Sequence, residues 1–265
     1  MLCAVHPRRA AFFDLDKTVI ARSSTAVFGR PFYRGGLITR RQMLRTGVVH
    51  LMYHTFGADR SQLDRMREYF ASLVTGWDVA QARRVIDETL TELVEPMVYA
   101  EAVELIAGHR AAGRDVVLVS SSGVELVEPI GQLLGVDRVI ATRMSIADGR
   151  YTGEVEFYAF GETKAAAARE LAAREGYDLA DSFAYSDSHT DIPLLEAVGN
   201  AVAVNPDRAL RRVALERGWT VLRFERPTAL RAKLSPTGAM LIGAVAGVAA
   251  AGVVYWVRQR RRSAA

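Results

Sequence analysis

The chain almost lacks cysteine. Cys3 is the only one in 265 residues, which excludes an intramolecular disulfide and makes a reducing compartment the natural setting. A leader pattern is also missing. Strand-like sequence begins at about residue 10, leaving no room for a charged start followed by an apolar stretch, so no export signal is expected. Nor has the body any net charge. Arg258, Arg260, Arg261 and Arg262 carry the whole formal charge of +4, and residues 1–257 balance to zero. That balance gives no case for a nucleic-acid-binding body. Half of the residues are apolar and about a quarter charged, which excludes a disordered chain and is enough for a real core.

The clearest gap is a stretch without charge. No residue from Leu234 to Val257 is charged, and Thr237–Val257 runs for 21 residues, long enough to cross a bilayer core as one helix. Tyr255 and Trp256 precede the arginines, as an aromatic belt precedes its anchor. Six alanines and four glycines keep the run only mildly hydrophobic, so a buried helix is the competing reading. The expectation is a single-pass C-terminal anchor with the body in the cytoplasm. Arginines on both sides of the run keep an interfacial or hairpin placement open. Gly243 and Gly247 form a GxxxG pair, a weak signal for a homodimer.

Short apolar runs follow one another through the body: AAFFDLD, DVVLVSSS, RVIATRM, SFAYSDS, NAVAVNPD and WTVLRF. Each reads as a strand buried on both faces. Helix-like segments ending at glycine, 98–113 and 162–176, separate several of them. Strands alternating with helices predict a parallel α/β sheet, with one β-hairpin turning at Asp148-Gly149. Residues 22–95 break the alternation and read as helices, a helical block inserted after the first strand. It carries Arg34, Arg40, Arg41 and Arg45, either a solvated face or a surface for an acidic head group. His50 and His54 stand at i, i+4, a spacing that can hold a metal, although no acidic partner motif accompanies them.

Three of the strands end in residues with chemistry: Asp14 and Asp16 after the first, Ser120 after another, and Asp187 with Asp191 in SDSHTD. In open parallel sheets ligands bind beyond the strand C-termini. Two carboxylates spaced as in Asp14-Leu15-Asp16 would repel each other unless a cation shares the site, or unless the stretch is a solvated turn. Lys164 falls in the first turn of its helix, where the macrodipole disfavours a cation, and an anion cluster facing it would explain the placement. Four carboxylates, an ammonium and a hydroxyl match a Mg²⁺ site that accepts a phosphate. Taken singly, each of these residues also has an ordinary reading as a turn, a cap or a solvated face; their order is what carries weight.

In that order, DLDKT, VLVSSS, Lys164 in GETK and YSDSHTD resemble the four motifs of the haloacid dehalogenase (HAD) superfamily, over roughly residues 10–225. The likeness is strongest to its phosphoserine-phosphatase-like branch (subfamily IB). The resemblance implies a doubly wound Rossmann-like parallel sheet, built from residues 1–21 and 96–225, with an inserted α-helical cap at 22–95. A linker at 226–236, a C-terminal transmembrane helix at 237–257 and a basic tail at 258–265 would follow. It also implies phosphate-monoester hydrolysis with Mg²⁺, Asp14 as the nucleophile and Asp16 as general acid and then base. Ser120 and Lys164 would bind the phosphoryl group. Asp14, Asp187 and the Asp16 carbonyl would hold the metal, and Asp191 would support the metal site or orient Lys164. Dehalogenase members lack an acid at the position of Asp16, which favours a phosphatase.

Two departures put phosphoserine itself in doubt: Ser121 and Ser122 stand where two glycines are common, and Lys17 where a small residue is frequent. A small phosphorylated metabolite or a lysophospholipid is the expected substrate. The competing classes are a phospho-aspartate signalling module and a catalytically idle membrane scaffold.

Overall fold

The computed structural model describes residues 8–42 and 60–227, the side chains of residues 25 and 60–66 apart. Seven strands form one sheet: β1 (Ala10–Asp14), β2 (Asp115–Gly123), β3 (Arg138–Ala147), β4 (Arg150–Phe157), β5 (Phe183–Ser186), β6 (Asn200–Val204) and β7 (Thr220–Leu222). Their order is β4-β3-β2-β1-β5-β6-β7. Every neighbouring pair is parallel except β3 and β4.

Side chains alternate across a strand, and here both faces are covered. Ala11 and Phe13 of β1, with Val116 and Leu118 of β2, join one core with Ala102, Ile106, Leu126, Val127 and Ile130. Those partners lie on the helices Ala100–Ala111 and Val124–Leu134. Ala10 and Phe12, with Val117 and Val119, join a second core with Ala165, Ala168, Leu171 and Leu210. These come from the helices Gly161–Glu175 and Arg208–Glu216 on the other face. The alanines at 165, 168 and 172 let their helix lie close to the sheet. This is the doubly wound arrangement expected of strands that are apolar on both faces. The glycine stops are also in place: Gly113 and Gly176 take φ of +68° and +72°, values that carry little penalty in glycine.

Between β1 and β2 the described chain is helical: Ser24–Val27, Gly29–Arg34, Arg60–Val74 and Val79–Val94. Asp78 caps the last of these by accepting from the Gln81 N–H at 2.8 Å. Phe28, Ile86 and Val94 pack into the first core. At the β3–β4 turn Asp148 and Gly149 both take positive φ, +50° and +73°, the signature of the tight hairpin that the sequence predicts.

The sequence gives no sign of how the hairpin meets the helical segment. Gly76 N–H donates to the Tyr151 carbonyl at 2.8 Å, and Tyr151 N–H to the Trp77 carbonyl at 3.1 Å. These bonds cover part of β4, the strand at the sheet edge.

Arg34, Arg40 and Arg41 are exposed. The run 237–257 with its GxxxG pair, the histidines at 50 and 54, and Arg45 lie outside the described residues. Among the described residues no helix is long and apolar enough to cross a membrane.

Candidate active site

From β1 the chain builds β2 and β3 on one side and β5 to β7 on the other. That reversal opens a crevice beyond the strand ends. Register sets what faces it. Asp14 pairs with Val119, so Ser120 stands one residue further along β2. Phe13 pairs with Tyr185, which places Ser186 level with Asp14 on the other side.

After Asp14 the chain curls tightly. Val19 and Ile20 N–H both donate to the Leu15 carbonyl, at 2.9 and 3.0 Å, and Leu15, Val19 and Ile20 are wholly buried. Lys17 takes φ of +61° in this turn, where a residue with a Cβ is uncommon. The apolar anchors fix the loop, and Asp14 and Asp16 remain at its mouth.

Lys164 Nζ donates to Asp14 Oδ1 at 2.6 Å and to Asp191 Oδ2 at 2.7 Å. Its side chain is only 3% exposed. Burial works against its charge, but the carboxylates of Asp14 and Asp191 override that and raise its pKa. Asp191 Oδ2 also accepts from Ser186 Oγ at 2.7 Å. Lys164 thus sits between Asp14 and Asp191, and Ser186 holds Asp191 in turn.

Asp16 is held separately. Its Oδ1 accepts from Ser24 N–H at 2.7 Å, and its Oδ2 lies 3.5 Å from Ser122 Oγ. Burial raises its pKa, with the Ser24 bonds pulling the other way.

Ser120 is buried, and its Oγ accepts from Ser122 N–H at 3.1 Å. Between Ser120 and Gly123 the pairing of β2 with β3 skips, Ser120 facing Ala141 and Gly123 facing Thr142. Ser121 and Ser122 therefore bulge, with the Ser121 carbonyl accepting from Thr142 Oγ1 at 2.7 Å. Bulges of this kind re-aim residues beside active sites.

Asp187 follows β5. Burial is the first reason its pKa rises to about 8, and the Asp14 charge is the second. Asp14 itself is raised to about 7 by burial and by Asp191 and Asp16, against the pull of Lys164. The Asp14 charge thus opposes ionisation of the buried Asp187, a repulsion that a cation shared between them would relieve. Among the described residues no three Asp, Glu, His or Cys side chains form a ready cage. Mg²⁺ does not need one, since it uses one or two carboxylates and keeps waters and substrate phosphate as its other ligands. Asp14, Asp187 and the Asp16 carbonyl fit that role. The Asp16 carboxylate serves serine donors, while Asp14 and Asp191 share the Lys164 ammonium.

Sequence reasoning placed the six polar residues at one edge of the sheet, and the structure puts them there. It passed over Ser24, Ser186 and Thr142. Ser186 directly precedes Asp187, but nothing in the sequence distinguishes Ser24 or Thr142 from other surface-type hydroxyls.

Known proteins resemble this chain. The family model of haloacid dehalogenase-like hydrolases matches residues 11–196. An "Inhibition of morphological differentiation protein" of Streptomyces azureus is 55% identical, over 98% of this chain and 96% of its own length. A probable phosphatase of Mycobacterium tuberculosis is 52% identical, over 97% of this chain and 91% of its own. A phosphoserine phosphatase of the same organism is 34% identical, over 91% and 79%. Among solved structures, a protein of unknown function from Bordetella pertussis Tohama I superposes with a TM-score of 0.72 at 31% identity, covering 82% of this chain and 99% of its own.

Proposed function

We propose, from the premise that the chain belongs to the haloacid dehalogenase-like hydrolase family and is a phosphatase, that it hydrolyses a phosphate monoester with Mg²⁺ through a phosphoryl group carried on Asp14. The observation that supports this best is the division of labour between the two acids of the first motif. Asp14 is paired with Lys164, and Asp16 stands apart on serine donors with its pKa raised by burial.

An Asp14 oxygen attacks phosphorus, the bond from phosphorus to the ester oxygen breaks, and that oxygen leaves with the proton of Asp16. Water then attacks the phosphoryl group, gives its proton to Asp16, and frees Asp14 and inorganic phosphate. Lys164 and the Ser120 hydroxyl balance the phosphoryl oxygens. Asp14, Asp187 and the Asp16 carbonyl would hold Mg²⁺, which would supply further positive charge at the phosphoryl group.

The substrate class we propose is a small phosphomonoester, phosphoserine-like or a lysophospholipid. A phosphoserine phosphatase among the relatives supports the first. The charge-free run 237–257 supports the second by acting as an anchor that keeps the body at the cytoplasmic face of a membrane. Phosphate release would be measured on a panel of lipid and water-soluble esters, with Mg²⁺ or chelator, for the wild type and Asp14→Asn. Release that needs both Mg²⁺ and Asp14 is expected. Equal rates with and without either would reject the mechanism, and phosphoserine turned over faster than every lipid would reject the lipid substrate. Extraction of the full chain from membranes by alkaline carbonate would reject the anchor.

A further inference from the structure

We infer that Ser122 and Ser24 are positioning residues for Asp16, the Ser122 hydroxyl tying the bulge after β2 to the start of the helical insert and orienting the carboxyl that gives up the proton. The inference rests on the phosphatase reading and assigns a task to a residue that reading leaves unused.

Ser122 is one of the two serines that stand where this branch of the family commonly has glycine. Its side chain is far from idle. Ser122 Oγ lies 2.8 Å from Ser24 Oγ and 3.5 Å from Asp16 Oδ2, while Ser24 N–H donates to Asp16 Oδ1 at 2.7 Å. Ser24 is wholly buried and Ser122 nearly so, at 7% exposure. Three segments thus meet at one carboxyl group: the loop after β1, the first residue of helix Ser24–Val27, and, about a hundred residues further along the chain, the bulge between Ser120 and Gly123.

Asp14 needs no such aid, because Lys164 fixes it through a short ion pair. Asp16 accepts from the Ser24 N–H and lies within reach of the Ser122 hydroxyl, so backbone and hydroxyl donors act on its orientation. A general acid works only when its proton points at the departing oxygen. Glycine at 122 would leave both Asp16 Oδ2 and Ser24 Oγ without that hydroxyl.

The test compares two esters through kcat/KM, which reads only the steps up to departure of the leaving group. An alkyl phosphate needs its leaving oxygen protonated, whereas p-nitrophenyl phosphate, with a good leaving group, needs this far less. Ser122→Ala should lower kcat/KM about tenfold for the alkyl ester and less than about twofold for the aryl ester, a part of the roughly 10²–10⁴-fold that a general acid contributes, since the acid itself is kept. Ser122→Thr, which keeps the hydroxyl, should restore the alkyl rate. In an Asp16→Asn background Ser122→Ala should change nothing further, since the two substitutions remove one function. Ser24→Ala breaks the same tie from its other end and serves if Ser122→Ala does not fold.

Equal losses on both esters, or losses that add fully to those of Asp16→Asn, would overturn the positioning role while leaving the phosphatase reading intact. A wild type that turns over neither ester would overturn both.

Discussion

Lys164 Nζ sits 2.6 Å from Asp14 Oδ1, an ion pair across 150 residues of sequence that joins the end of β1 to the first turn of helix Gly161–Glu175. With Asp191 on its other side, this one ammonium balances two carboxylates buried with it. Removing it strands both. Lys164→Met should cost roughly 3–5 kcal/mol of stability, the usual penalty for breaking a buried pair from one side. Pairing it with Asp14→Asn should recover part of that cost. The midpoint of urea denaturation would read both. Its turnover should fall by about two orders of magnitude or more, as when a donor to the transferring group is lost.

Asp14 and Asp187 give the Mg²⁺ reading a test independent of catalysis. Their folded pKa values, about 7 and about 8, lie above the ordinary 3.8 because of burial and then of neighbouring charge. At these two groups the metal-free folded protein holds more protons than the unfolded chain between about pH 4 and 8, so the stability they contribute falls as pH rises across that window and levels off above it. A bound cation removes the cost of ionising both groups. The rise in Tm on adding Mg²⁺ should be larger near pH 8.5 than near pH 5.5, because protons compete with the ion. Asp187→Asn should abolish most of it. An equal rise at both pH values would contradict the assignment of these ligands.

His109 behaves in the opposite sense. It is packed against Phe13, Phe183 and Tyr185, accepts from Arg114 Nε at Nδ1 (2.7 Å), and so donates from Nε2 to the Tyr185 hydroxyl (2.7 Å). Burial, and then Arg114, lower its pKa from 6.5 to about 3. Between these values the unfolded chain takes up a proton that the folded protein cannot. Stability from this group should fall with acidification by up to about 1.4 kcal/mol per pH unit. His109→Gln should flatten that slope. The difference between the two proteins is the quantity to read, since Asp14 and Asp187 act with the opposite sign in the same window.

The parallel sheet and the two faces of its core were legible because buried strands leave unbroken apolar runs, as in AAFF and VVLV. The candidate carboxylates and Ser120 were legible because three of these runs stop abruptly at a carboxylate or a hydroxyl, and Lys164 because a cation is out of place in the first turn of a helix. The Asp148-Gly149 turn was legible because few residue pairs tolerate two successive positive φ values. Other features depend on contacts between distant segments, which no local pattern records. The bonds of Gly76 and Tyr151, the skipped pairing that bulges Ser121 and Ser122, and the approach of Ser122 to Ser24 and Asp16 are all of this kind. The sequence marked Ser122 only as a departure from the glycine common in the family. Its hydroxyl partner, 98 residues away, became visible only in the fold.

The central claim is that Asp14 carries the phosphoryl group during turnover. Its most direct test is an acid quench of the wild type during steady-state hydrolysis of p-nitrophenyl phosphate with Mg²⁺, followed by peptide mapping of the trapped protein. A phosphoryl group on the peptide containing Asp14, absent from Asp14→Asn and discharged by hydroxylamine, is the predicted result. Brisk turnover with no acid-stable phosphoryl group on Asp14, or turnover undiminished in Asp14→Asn, would contradict it.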